Sequence, residues 1–128
     1  MVDRVIATPE AAAVIERLKA IHGPLMFHQS GGCCDGSSPM CYPANEFRVG
    51  GVDVCLGAIC ECPFWMWSDQ YVYFANSQLI IDVVPGRGAG FSLESPEGIR
   101  FLTRSRLFSD EEVTALEQAG PPARGGSA

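Results

Sequence analysis

Residues 27–41 read Phe-His-Gln-Ser-Gly-Gly-Cys-Cys-Asp-Gly-Ser-Ser-Pro-Met-Cys, and they constrain this chain more than any other stretch. They crowd three thiols and an imidazole into one glycine-rich loop. Glycines at 31, 32 and 36 let the backbone turn sharply, and Pro39 stiffens the return toward Cys41. The adjacent Cys33 and Cys34 are a poor disulfide, because a good one needs a Cα separation and side-chain geometry that the intervening trans peptide resists. Soft metals prefer thiolate and imidazole ligands. The loop is therefore expected to bind a metal ion or an iron-sulfur cluster through Cys33, Cys34 and Cys41, with His28 beside them. Thiol redox chemistry and simple packing of small apolar side chains are the competing readings. The spacing matches no zinc ribbon or finger, so the metal stays open.

With 128 residues, 47% of them hydrophobic, the chain can bury one core and not two. A single domain over residues 1–119 and a flexible tail over residues 120–128 are expected. No apolar run approaches the roughly 18 residues of a membrane span, and the N-terminus shows no basic stretch followed by an apolar one. A cytoplasmic protein with no membrane partner is the expectation, and its six cysteines are then expected to be reduced. A net charge of −6, with arginines grouped only at Arg100, Arg104 and Arg106, argues against nucleic acid.

The pattern along the chain predicts an α+β fold rich in strands. Thr8-Pro9-Glu10 opens a helix with a capping hydroxyl, a proline that loses no bond and an acid at the positive end. Val14, Leu18 and Ile21 follow at helical spacing, and His22-Gly23-Pro24 stops it, which gives His22 a capping role. A strand over residues 25–29 carries Leu25, Phe27 and Gln29 on one face and Met26 and His28 on the other. In residues 52–60, Val52, Val54, Leu56 and Ala58 alternate with Asp53, Cys55, Gly57 and Ile59. Residues 79–84 are expected to pair with residues 90–94 across a tight glycine-rich connection, and residues 99–103 to add a further strand. Ser109-Asp110-Glu111-Glu112 is a capping box for a short C-terminal helix carrying Val113 and Leu116.

Other motifs carry less. Cys60-Glu61-Cys62 would present both thiols to one side if extended, with Cys55 opposite; these thiols are either further ligands or buried small side chains. Phe64-Trp65-Met66-Trp67, with Tyr71, Tyr73 and Phe74, reads as core first and as a partner or self-association surface second. Ser68-Asp69 could cap a short helix there. Gly86-x-Gly88-x-Gly90 departs from the dinucleotide fingerprint and precedes a strand pattern, so a glycine hairpin explains it better than a phosphate site.

Two resemblances follow from these motifs. An alanine-rich helix (Ala11, Ala12, Ala13), a strand, the loop Gly31-Gly32-Cys33-Cys34-Asp35-Gly36 and a late glycine-rich turn with Phe91 and Ser95-Pro96 resemble the A-type iron-sulfur carriers of the HesB-like fold. Those carriers add a Cys-Gly-Cys near the C-terminus, whereas no cysteine follows Cys62 here. The long motifs at residues 27–41, 80–84, 90–94 and 100–105 are similar to those of a bacterial family numbered 779 among the domains of unknown function. Members of that family are often encoded beside NAD-dependent aldehyde dehydrogenases. The resemblances imply a HesB-like domain, a metal ion or iron-sulfur cluster with iron favoured over zinc or copper, a homo-oligomer, and an aldehyde dehydrogenase as partner.

The expected function is a metal- or iron-sulfur-binding accessory protein in aldehyde metabolism, more a carrier than an enzyme. Two alternatives stand beside it: a small metal- or thiol-dependent enzyme using His28, and a metal-independent module that docks through residues 64–74.

Overall fold

The first helix starts and stops where its end groups direct. In the computed structural model, which describes residues 3–29, 39–44, 53–72, 74–86, 93, 98–120 and 123–124, strand β1 (Val5–Ala7) leads into helix α1 (Pro9–His22). Thr8 Oγ1 accepts from the Ala11 N–H at 3.1 Å, and Gly23, at φ 81°, turns its N–H back to the Lys19 carbonyl at 2.8 Å. Ala11, Val14, Ile15 and Leu18 form the buried stripe. Ile21, expected to extend that stripe, is exposed in the last turn.

Two sheets follow. One is five-stranded, in the order β3 (Met40–Pro43), β2 (Leu25–Gln29), β5 (Cys62–Trp67), β4 (Asp53–Ile59), β8 (Ala123–Arg124). The other is three-stranded, in the order β1, β6 (Ser77–Pro85), β7 (Ile99–Leu107). The short helices α2 (Ser68–Tyr71) and α3 (Asp110–Ala119) follow β5 and β7. The result is a strand-rich α+β fold with three helices among the described residues, none of them long and apolar enough to cross a membrane.

The sheets meet through their apolar faces. Phe27 stacks on Phe64 with ring centroids 6.1 Å apart and meets Phe101 of the other sheet edge-on at 5.1 Å. Leu25, Met66, Leu79 and Ile81 complete this layer, all essentially without solvent contact. Across it, Thr103 Oγ1 donates to Gln29 Oε1 at 2.6 Å, while Gln29 Nε2 is buried with no partner.

Asp82 joins three elements outside that layer. It accepts from Thr8 Oγ1 at 3.0 Å, from the Val83 N–H at 2.8 Å and from Arg104 Nε at 3.0 Å, tying the start of α1 to β6 and β7. The Val83 amide first, then Arg104 and Thr8, hold its carboxyl below the ordinary carboxylate range.

Several expectations change here. Strand β6 pairs with β7, in register from Ser77↔Leu107 to Pro85↔Ile99, and with β1 along Leu79, Ile80 and Ile81. Leu93 lies in a turn; the other residues of 90–94 are outside the described ones. In β4 a bulge between Cys55 and Gly57 shifts the phase, so Ile59 faces inward and Ala58 outward. The tail after Gly120 supplies β8, which pairs Ala123 and Arg124 with Cys55 and Val54. Pairing needs only backbone groups, so the lack of apolar side chains did not forbid it. The C-terminal helix is as expected: Ser109 Oγ accepts from the Glu112 N–H at 3.2 Å and Glu112 reaches back to the Ser109 N–H at 2.9 Å.

Candidate functional site

Strand alternation divides the five-stranded sheet into two unlike faces. Phe27 is opposite both Cys41 and Phe64, and these point into the core. One residue further along β2, His28 is opposite Met40 on β3 and Trp65 on β5, and Trp65 is opposite Cys55 on β4. Asp53 stands opposite Trp67, two residues on from Trp65 and so on the same face. This second face carries Met40, Tyr42, His28, Trp65, Trp67, Cys55 and Asp53, a polar and sulfur-rich set among aromatics.

At its centre His28 Nε2 lies 2.7 Å from Asp53 Oδ1. Both residues are buried, at 7% and 6% exposure, and the bond links β2 to β4, the strands that flank β5. An ionised carboxylate only accepts, so opposite an ionised Asp53 it is Nε2 that carries the proton. Nearby, the Tyr42 hydroxyl donates to Met40 Sδ at 3.0 Å, and burial pushes its phenol above the usual value. The Cys55 thiol donates to the Gly57 carbonyl at 3.4 Å.

The expected ligands fall in three places. His28 sits on this face, within two residues of the glycine-cysteine loop. Cys41 lies on strand β3 rather than in the loop, wholly buried, on the opposite face of the sheet. Cys33 and Cys34 lie outside the described residues. His28 and Cys41 are thus not brought together, because neighbouring positions on a strand face opposite ways. Among the described residues no group of three or more His, Cys, Asp or Glu side chains could hold a metal.

Cys60 and Cys62 are not on one extended segment. Cys60 and Glu61, at φ 49° and 67°, form the tip of the β4–β5 hairpin, and Cys62 opens β5 opposite Ile59. Positive φ at both tip residues is the type I′ pattern, which favours Asn-Gly, and non-glycine residues there cost about 1–3 kcal/mol each. Lys19 Nζ donates to the Cys60 carbonyl at 2.9 Å and pairs with Glu16 at 3.1 Å. His22 is exposed in the last turn of α1, consistent with capping.

The aromatic segment is split by β5. Phe64 and Met66 are fully buried, while Trp65 is half-buried and Trp67 is 41% exposed on the His28 face. Phe74 is buried and Tyr71 packs against the core; Tyr73 lies outside the described residues. Helix α2 begins at Ser68, after Trp67, with no side-chain cap.

Asp53 is the member of the site that sequence reasoning passed over. Its signal was present: a carboxylate at the head of an apolar strand, on the side expected to carry Cys55. What could not be read was which strand would bring an imidazole to it.

No curated protein and no solved structure matches the chain. A family model described as domain of unknown function (DUF779) matches residues 14–107, so the chain belongs to that family.

Proposed function

We propose that this protein is a small metal-binding accessory protein in which His28 and the thiols of Cys33 and Cys34 supply the ligands and Asp53 orients the imidazole. The buried His28–Asp53 bond carries this reading. Ligating histidines commonly give their second N–H to a carboxylate, which fixes the ring and raises its basicity. That bond is made here two residues from the loop holding Cys33 and Cys34, on a face flanked by tryptophans. Cys41, on the far face, packs the core instead of ligating.

A bound iron ion or iron-sulfur cluster, or else zinc or copper, would supply electron-transfer or Lewis-acid chemistry and would hold the cysteines as thiolates, releasing protons on binding. The likeness of the loop and helix to the HesB-like iron-sulfur carriers favours iron. It also favours a homo-oligomer, while membership of the 779 family favours an NAD-dependent aldehyde dehydrogenase as its partner in the cytoplasm.

Elemental analysis and an absorption spectrum of anaerobically purified protein test the proposal. Stoichiometric metal is expected, lost in His28→Ala and in the double variant Cys33→Ser/Cys34→Ser while circular dichroism stays native. A metal-free protein that also refuses added iron, zinc and copper would defeat it.

The same dyad favours one second reading, a thiol enzyme in which Asp53 orients His28 as base for a loop cysteine. In that case Asp53→Asn slows alkylation of Cys33 or Cys34 in metal-free protein, and turnover of an aldehyde is detectable. Equal alkylation rates and no turnover remove it.

A further inference from the structure

The β4–β5 hairpin places two thiols at the margin of the core, Cys62 within it and Cys60 packed against it, away from the His28 face. Extended residues i and i+2 lie about 6.6–7.2 Å apart, at or beyond the limit of about 4.4–6.8 Å between the Cα atoms of a disulfide. Glu61 at φ 67° folds that path and shortens it. Both thiols lie beside helix α1, where the charges of Glu16 and Lys19 act on each of them. The Cys62 thiol donates to the Cys60 carbonyl at 3.5 Å, and Lys19 Nζ donates to the same carbonyl at 2.9 Å. Access is unequal: Cys60 is half-buried and Cys62 buried. A cavity of about 410 Å³, lined by Lys19, Glu61 and Cys62 among others, opens beside them.

We propose that Cys60 and Cys62 are a redox pair that closes to an intrachain disulfide across the hairpin tip by exchange with a low-molecular-weight disulfide. The Cys60 thiolate attacks one sulfur of that disulfide, forming a mixed disulfide and releasing one thiol. Cys62 then attacks the Cys60 sulfur, the Cys60–Cys62 bond forms and the second thiol leaves. Two electrons pass from the pair to the small disulfide, and the two cysteine protons end on the two released thiols. Burial raises both thiols above the usual cysteine value, opposed by Lys19, so exchange is slow at neutral pH and quickens about tenfold per pH unit as the thiolate fraction grows. The strained αL tip, with cysteine and glutamate where Asn-Gly is easier, has its function in this pre-folded geometry.

The test is reduced full-length protein exposed to glutathione disulfide, then alkylated and mapped by peptide mass spectrometry. The peptide containing residues 60–62 is expected to lose two hydrogens and resist alkylation, and to regain two reactive thiols on reduction. Cys62→Ser should trap one glutathione on Cys60, and Cys60→Ser should react at least tenfold more slowly at the buried Cys62. Cys60 and Cys62 both still alkylated after oxidation, or either of them bonded to a different cysteine, would overturn the proposal. The wild-type map alone decides if a variant fails to fold, and the result is independent of any metal bound at His28.

Discussion

The two faces of the five-stranded sheet are made by the same strands and do opposite things. On the inner face Phe27, Cys41, Phe64 and Met66 are wholly buried in the hydrophobic core. On the outer face, one residue out of step, His28 and Asp53 are nearly as buried but are joined by a 2.7 Å hydrogen bond amid tryptophan, tyrosine, methionine and cysteine. Apolar burial is non-directional and tolerates rearrangement, whereas a buried polar pair holds only in one geometry. The inner face therefore supplies stability, and the outer face spends some of it on orientation.

That contrast can be broken most severely from the inside. Phe27→Ala removes the ring that stacks on Phe64 and meets Phe101, and should cost about 3–5 kcal/mol in denaturant unfolding. A loss below 1 kcal/mol would show that the sheets do not depend on this layer. On the outer face, Asp53→Asn keeps the shape but not the charge. It should lower metal affinity about 10–100-fold in a competitive chelator titration while changing stability by about 1 kcal/mol or less. An unchanged affinity would make the pair a structural fastening.

Within the inner layer, Thr103→Val removes the donor to Gln29 Oε1 and leaves that amide buried without either bond, at about 1–3 kcal/mol. Adding Gln29→Leu should recover most of the loss, since replacing both partners by apolar groups restores a consistent core. A double variant no more stable than the single would deny that the pair is a polar fault in an apolar layer.

The smallest effect is expected far from both faces, at α3. Arg106, bonded at 2.7 Å, and then the Ser109 amide lower the Glu112 carboxyl to about 2. A carboxylate depressed in the folded state contributes stability that is present above its unfolded value near 4.5 and is lost as pH falls toward 2. The protection of α3 amides, as exchange rates relative to the intrinsic rate at each pH, should fall across that window in the wild type and stay level there in Glu112→Gln, with the sheets unaffected. Equal pH profiles in the two proteins would remove the Glu112 capping box as the cause.

Local chemistry was legible wherever it acts within a few residues. Thr8-Pro9-Glu10 and Ser109 to Glu112 contain their own caps, and Gly23 is free to take the φ of 81° that closes α1. The alternation in residues 25–29 correctly separated Phe27 from His28. Beyond that range the reading weakened. The bulge after Cys55 put Ile59 in place of Ala58 in the inward set of β4, and β2 brought an imidazole to Asp53, because cross-strand pairing is decided by the total fit of distant segments.

The amino-acid order alone determined that His28 would emerge beside a cysteine-glycine loop, that one core would form, and that two helices would begin at capped residues. Tertiary structure alone decided that Asp53, 25 positions away, would meet that imidazole, that Cys41 would be turned to the other side, and that Cys60 would sit in a strained tip with Cys62 just after it. The reason is physical: caps and alternation are properties of neighbouring dihedrals, while the meeting of two side chains depends on register, and register is set by every pair in the sheet at once.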